Sequence, residues 1–116
     1  MFELNKSQIL RDFQEVYAKG RSVSNKNLVL HILNDSNHSS AKMGGIGFAA
    51  GRRLGGAVVR NRLKRIMREA FRLNQHNINC DCSIVMVARK GLLNAKTDTA
   101  AQSLIELCKR AKIWHD

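Results

Sequence analysis

Between residues 52 and 72 the chain carries eight basic side chains, Arg52, Arg53, Arg60, Arg62, Lys64, Arg65, Arg68 and Arg72, against one acid, Glu69. Eight minus one gives this segment +7 of the chain's net +11. On a helix turning about 100° per residue, Asn61, Arg65, Arg68 and Arg72 share one narrow face with Lys64 beside it, while Arg60 and Arg62 flank it on opposite sides. The bland alternative is a solvated face, the usual fate of a charge run. Solvated faces interleave acids with bases, whereas here Lys64, Arg68 and Arg72 put like charges four apart, which destabilises a free helix. The pattern fits a surface kept for a polyanion. Arginine predominates, and its planar fork matches phosphate oxygens bidentately and stacks on bases. Asn61 can add contacts to sugar or base edges.

No hydrolytic set accompanies this surface. Asp12, Glu15 and Asp35 are isolated acids, and no Ser/His/Asp or paired-carboxylate spacing stands out, so no catalytic residue is expected in the chain. The three cysteines, Cys80, Cys82 and Cys108, are odd in number and fit free thiols in a reducing compartment. Cys80-x-Cys82 lacks a second close pair and a fourth ligand, and His31, His38, His76 and His115 are scattered, so no metal site is expected. Gly44-Gly45-x-Gly47 matches neither a dinucleotide fingerprint nor a P-loop and reads as close backbone packing. No apolar run approaches the roughly 20 residues of a spanning helix, and Met1–Leu10 holds no apolar signal region, so a cytoplasmic protein is expected.

The 116 residues, 44% of them hydrophobic, suffice for one domain spanning 1–116 with a core of its own. A first helix is predicted over 7–19, capped by Asn5 or Ser7 and ended by Gly20, with Leu10, Phe13 and Tyr17 on one face. Residues 22–33 read as extended, Asn34–Lys42 as a turn-rich segment, and Met43–Gly51 as a buried strand. The strongest helix is predicted over 57–75, with Val59, Leu63, Ile66, Met67, Ala70 and Leu73 as its inward stripe. A turn over Asn77–Asp81 and a buried strand over 82–88 follow. Gly91 to Lys96 connects to a last helix over 97–110, capped by Thr97, with Ala100, Leu104, Leu107 and Cys108 inward. The fold class is α+β, with helices packed on one small mixed β-sheet.

The run Gly47-Phe48-Ala49-Ala50-Gly51-Arg52-Arg53-Leu54-Gly55-Gly56-Ala57-Val58-Val59-Arg60-Asn61-Arg62-Leu63-Lys64-Arg65-Ile66-Met67-Arg68-Glu69 resembles the signature of the protein subunit of bacterial ribonuclease P. Asp12-Phe13-Gln14-x-Val16-Tyr17 with Gly20 looks like that family's first helix, and Ala88-Arg89-Lys90 like the end of its last strand. The resemblance covers nearly the whole chain in order. It implies a ribosomal-protein-like α-β-β-β-α-β-α sandwich, with 22–51 split into three strands. It also implies a role in removing the 5′ leader from precursor tRNA. The RNA subunit would perform the hydrolysis with magnesium, and the protein, one per RNA and without a cofactor of its own, would bind that RNA and hold the leader. Carried over by residue, Arg60, Asn61, Arg62, Lys64, Arg65, Arg68 and Arg72 would face the RNA subunit. Phe13 and Tyr17 would line the leader cleft, with His31 at a position where some relatives carry an aromatic and Arg52, Arg53, Arg89 and Lys90 as a basic rim. Gly56 departs from a position where relatives often carry a polar residue. From periodicity alone, Phe13 and Tyr17 would read as core; the resemblance makes them stacking groups for unpaired bases. Two competing classes are a structural ribosomal RNA-binding protein and a DNA binder, the latter without a visible helix-turn-helix or zipper.

Overall fold

Asn25 divides the extended stretch after Arg21. Its side-chain Oδ1 accepts hydrogen bonds from the backbone N–H groups of Asn27 (3.0 Å) and Leu28 (2.9 Å), and its own N–H donates to the Leu28 carbonyl at 3.0 Å. An asparagine that satisfies the backbone two and three residues on makes a tight reversal. The result is a hairpin of β2 (Arg21–Ser24) and β3 (Leu28–Asn34), paired antiparallel with Val23 opposite Leu30. The computed structural model describes residues 2–3, 21–34, 45–78 and 82–116. The expected first helix with Phe13 and Tyr17, the Asn34–Lys42 segment beyond Asn34, and Cys80 lie outside the described residues.

The remaining strands are β1 (Phe2–Glu3), β4 (Gly45–Ala49) and β5 (Cys82–Ala88), and the helices are α1 (Ala57–Asn74) and α2 (Thr97–Arg110). The sheet order is β1-β4-β5-β3-β2, parallel between β1, β4 and β5 and antiparallel between β5, β3 and β2. The mixed sheet and the three strands expected over 22–51 are present, in the expected α+β arrangement. The two-residue β1 is an addition, too short to leave a periodic signal in sequence.

Strand alternation gives each strand two faces. Leu28, Leu30 and Ile32 of β3, Ile84, Met86 and Ala88 of β5, and Ile46 and Phe48 of β4 turn to the helices and are buried. Leu63, Met67 and Ala70 of α1 and Ala100, Leu104, Leu107 and Cys108 of α2 close on them with no exposed surface. Cys82 and Cys108 are both buried, and burial, with Cys82 nearby, pushes the Cys108 thiol up to about 12.

Two expectations are corrected. Leu73 is not part of the inward stripe; it stays 47% exposed, and Phe71 is buried in its place. On a helix of about 100° per residue the two lie about 80° to either side of Leu63. Phe48 awaits Phe71 on one flank, ring centroids 6.2 Å apart and edge to face. Thr97 does not cap α2: the helix starts at Thr97 itself, the cap position falls on Lys96, and no side chain caps it. Asp98 in the first turn and Lys109 and Arg110 in the last complement the helix dipole instead.

After β5 the chain forms a 3-10 turn over Lys90–Leu92 that packs on the β2–β3 reversal, where the Gly91 N–H donates to the Lys26 carbonyl at 3.1 Å. A Cβ on Gly91 would meet the Lys26 carbonyl oxygen at 2.4 Å and Asn27 Oδ1 at 2.5 Å. Backbone cannot yield as a side-chain tip can. Gly91→Ala is therefore expected to destabilise the protein by about 1–3 kcal/mol, read as a lowered midpoint in urea. An unchanged midpoint would show that the reversal and the turn separate freely.

Candidate nucleic-acid interface

Because β4 and β5 run parallel, their carboxyl ends emerge at the same edge of the sheet. Arg52 and Arg53 follow β4 on a 3-10 turn, Arg89 and Lys90 follow β5, and all four are exposed. The antiparallel β3 places Leu28 opposite Ala88, so the β2–β3 reversal with exposed Lys26 joins the same edge. Gly55, at φ 144°, turns the chain from Arg52–Leu54 into α1; this is a conformation that favours glycine. Helix α1 then starts after Gly56, which offers no side-chain cap, and has no acid in its first turn, so its positive dipole end adds to the cations around it.

Arg89 is held firmly there. Its N–H donates to the Asn27 carbonyl at 2.9 Å and its Nη1 to the Asn25 carbonyl at 3.0 Å. The reversal is in turn tied to α2: the buried Asn27 Nδ2 donates to the buried Ser103 Oγ at 2.7 Å, and Asn25 Nδ2 to the Ser103 carbonyl at 3.4 Å. Leu93, just beyond, accepts a hydrogen bond from Arg62 of α1. The rim is thus fixed from three elements rather than carried on a loose loop.

Along α1 the expected row is present. Asn61, Arg65, Arg68 and Arg72 are exposed, and Arg60, Arg62 and Lys64 are half-buried at its borders. The row is not uniformly free. Arg68 forms two bonds to Glu3, Nε to Oε1 at 2.8 Å and Nη2 to Oε2 at 3.0 Å, and its Cζ lies 5.4 Å from the Phe48 ring centroid. The Glu3 hydrogen bond raises the Arg68 pKa above its ordinary value. Arg72 forms a similar fork with Glu69, at 2.9 and 2.5 Å, which lowers the Glu69 pKa. Arg60 Nε is buried with no hydrogen-bond partner among the described residues.

His31 sits elsewhere, in the middle of β3 on the face away from the two helices, opposite Val85 and only 7% exposed. Phe13 and Tyr17 lie outside the described residues. Sequence reasoning did not single out Glu3, Asn25, Asn27, Ser103 or Gly91. The two asparagines carried a turn signal; Glu3, 65 positions from its partner, carried none.

The sequence pattern of the family described as Ribonuclease P matches residues 4–112. The chain belongs to that family. It is 44% identical over 99 residues to the ribonuclease P protein component of Symbiobacterium thermophilum, covering 85% of this chain and 84% of that protein. It is 35% identical over 109 residues to the same component of Alkaliphilus metalliredigens, covering 94% and 95%. Among solved structures, the ribonuclease P protein of Staphylococcus aureus superposes with a TM-score of 0.79 at 30% identity, covering 99% of each chain. That of Thermotoga maritima gives 0.77 at 29% identity, covering 95% of this chain and 97% of that one. No helix of the described residues is long and apolar enough to cross a membrane.

Burial holds the His31 imidazole below its ordinary value of 6.5. The unfolded chain then takes up a proton at a pH where the folded chain does not, so this contribution is complete above the ordinary histidine range and lost as pH falls through it. Urea midpoints measured from about pH 7.5 to about pH 5.5 should decline, and His31→Leu should flatten that decline. Equal slopes would place the titration on other groups.

Proposed function

We propose that this chain is the protein component of ribonuclease P. It binds the catalytic RNA subunit through Arg60, Asn61, Arg62, Lys64, Arg65, Arg68 and Arg72 of α1. It holds the 5′ leader of precursor tRNA in a cleft between the first helix and the sheet, lined by Phe13, Tyr17 and His31, with Arg52, Arg53, Arg89 and Lys90 as its basic rim. The endonucleolytic step that frees the mature tRNA 5′ end, and the Mg2+ it needs, belong to the RNA. One protein serves one RNA, in the cytoplasm, with neither DNA nor membrane as partner. The observation that carries this reading is the exposed Asn61–Arg65–Arg68–Arg72 row on a helix whose opposite side is fully built into the core; family membership names the RNA it fits. The protein's contribution is charge neutralisation and positioning between two polyanions.

Binding to ribonuclease P RNA should weaken steeply with added salt, because each neutralised phosphate releases counterions. Arg65 has no acid partner among the described residues, unlike Arg68 and Arg72. Arg65→Ala should therefore lower the slope of log affinity against log salt by about 1. A wild-type slope in that variant would remove α1 from the RNA surface. Nuclease-free protein alone should leave precursor tRNA intact and should restore cleavage by the RNA subunit at low magnesium.

For the leader, Phe13→Leu keeps apolar bulk but loses a stacking ring, an effect of roughly 1–3 kcal/mol per base. It should weaken precursor tRNA while sparing mature tRNA and the RNA subunit. Equal loss for all three RNAs with a lowered melting temperature would return Phe13 to the core.

A further inference from the structure

Strand β1 is two residues long and lies at the sheet edge, parallel to β4, with Glu3 paired to Ile46. From that edge the Glu3 carboxylate reaches α1 and takes two donors of the Arg68 guanidinium, Nε and Nη2, in two parallel bonds. This is the fork geometry with which arginine holds a phosphate. The Phe48 ring lies beneath Arg68, its centroid 5.4 Å from Cζ. Both partners are about half exposed, Arg68 at 49% and Glu3 at 45%. An open cavity of about 170 Å³ beside them is lined by Glu3, Phe48, Arg68 and Arg72.

The two acids on this row differ in kind. Glu69 is three residues from Arg72 on the same helix and moves with it. Glu3 lies on the edge strand rather than on α1, so its carboxylate can swing away without disturbing the helix. An exposed carboxylate pair is weak and exchangeable, and a phosphodiester offers the same two oxygens with the same charge.

We propose that Glu3 occupies a phosphate seat on Arg68, as an internal competitor that an RNA backbone phosphate displaces when the helix docks. The proposal rests on the reading that α1 binds RNA. It makes Glu3 a residue that tunes affinity: Arg68 is held ready in its docking geometry, and ligands without a phosphate to exchange for the carboxylate gain nothing at this position.

The test is a mutant cycle on the full chain, measuring affinity for ribonuclease P RNA at fixed salt. Glu3→Gln should bind about two- to fivefold tighter than wild type, and that gain should vanish when Arg68 is also changed to Ala. Glu106→Gln is the charge control, because it frees Arg110 of α2 from a similar pair at 2.6 Å and should give a smaller gain. Weaker binding by Glu3→Gln at an unchanged melting temperature, a gain that persists in the Arg68→Ala background, or a gain no larger than that of Glu106→Gln would each overturn the proposal. If Arg65→Ala also binds as wild type does, the reading of α1 as the RNA surface fails, whatever Glu3 does.

Discussion

The parallel pairing of β4 with β5 is the constraint on which the rest depends. Parallel neighbours cannot be joined by a tight turn; the chain must cross over and return, and a helix is the usual crossover. That requirement creates α1, packs its inner side on Ile46, Phe48, Ile84 and Met86, and leaves its outer side to solvent. It also puts the two carboxyl ends at one edge. Basic residues 36 positions apart in the chain, Arg53 and Arg89, thereby belong to one rim.

A rim of cations repels itself and needs rigid anchors. The anchor here is polar and buried. Asn27 and Ser103 are both largely out of water, and their 2.7 Å bond satisfies groups that would otherwise be costly to bury. Around that bond the carbonyls of Asn25, Lys26 and Asn27 all face the segment after β5 and accept from Arg89 and Gly91. Gly91 is the complement of this arrangement, because only a residue without Cβ lets the turn approach so closely. The fold and the rim thus share one set of hydrogen bonds, and loosening the anchor would loosen the placement of charge.

Periodic features were legible in sequence, and features that arise from tertiary meetings were not. The span of α1, the strand 82–88 and the inward residues of α2 followed from patterns that burial imposes on every turn or every second residue. The one-sidedness of the α1 charge was equally plain, since it needs only a helical wheel. Phe71 against Leu73 was not decidable that way: the two flank the stripe symmetrically, and Phe48 decides between them. The span 97–110 of α2 is as expected, but Thr97 is its first helical residue rather than its cap, because residue type alone does not show that the chain enters the helix through Lys96. Strand β1 and the Glu3–Arg68 fork involve two residues at one end of the chain and one in its middle, and no local pattern encodes such a pairing.

The charge on α1 raises a question of order: why does the helix fold before its polyanion arrives? Lys64, Arg68 and Arg72 repeat at the spacing where like charges destabilise a helix. Two of these three are answered by carboxylates from the protein itself, Arg68 by Glu3 and Arg72 by Glu69. Each of those pairs is exposed and weak, enough to relieve repulsion and too little to hold a structure. The holding is done by Leu63, Met67 and Ala70, whose surfaces are wholly removed from water, each large side chain contributing about 1.5–3 kcal/mol. Stability and recognition therefore reside on opposite sides of the same helix. The inner side makes α1 independent of its ligand, and the weak acid partners on the outer side leave the arginine forks exchangeable.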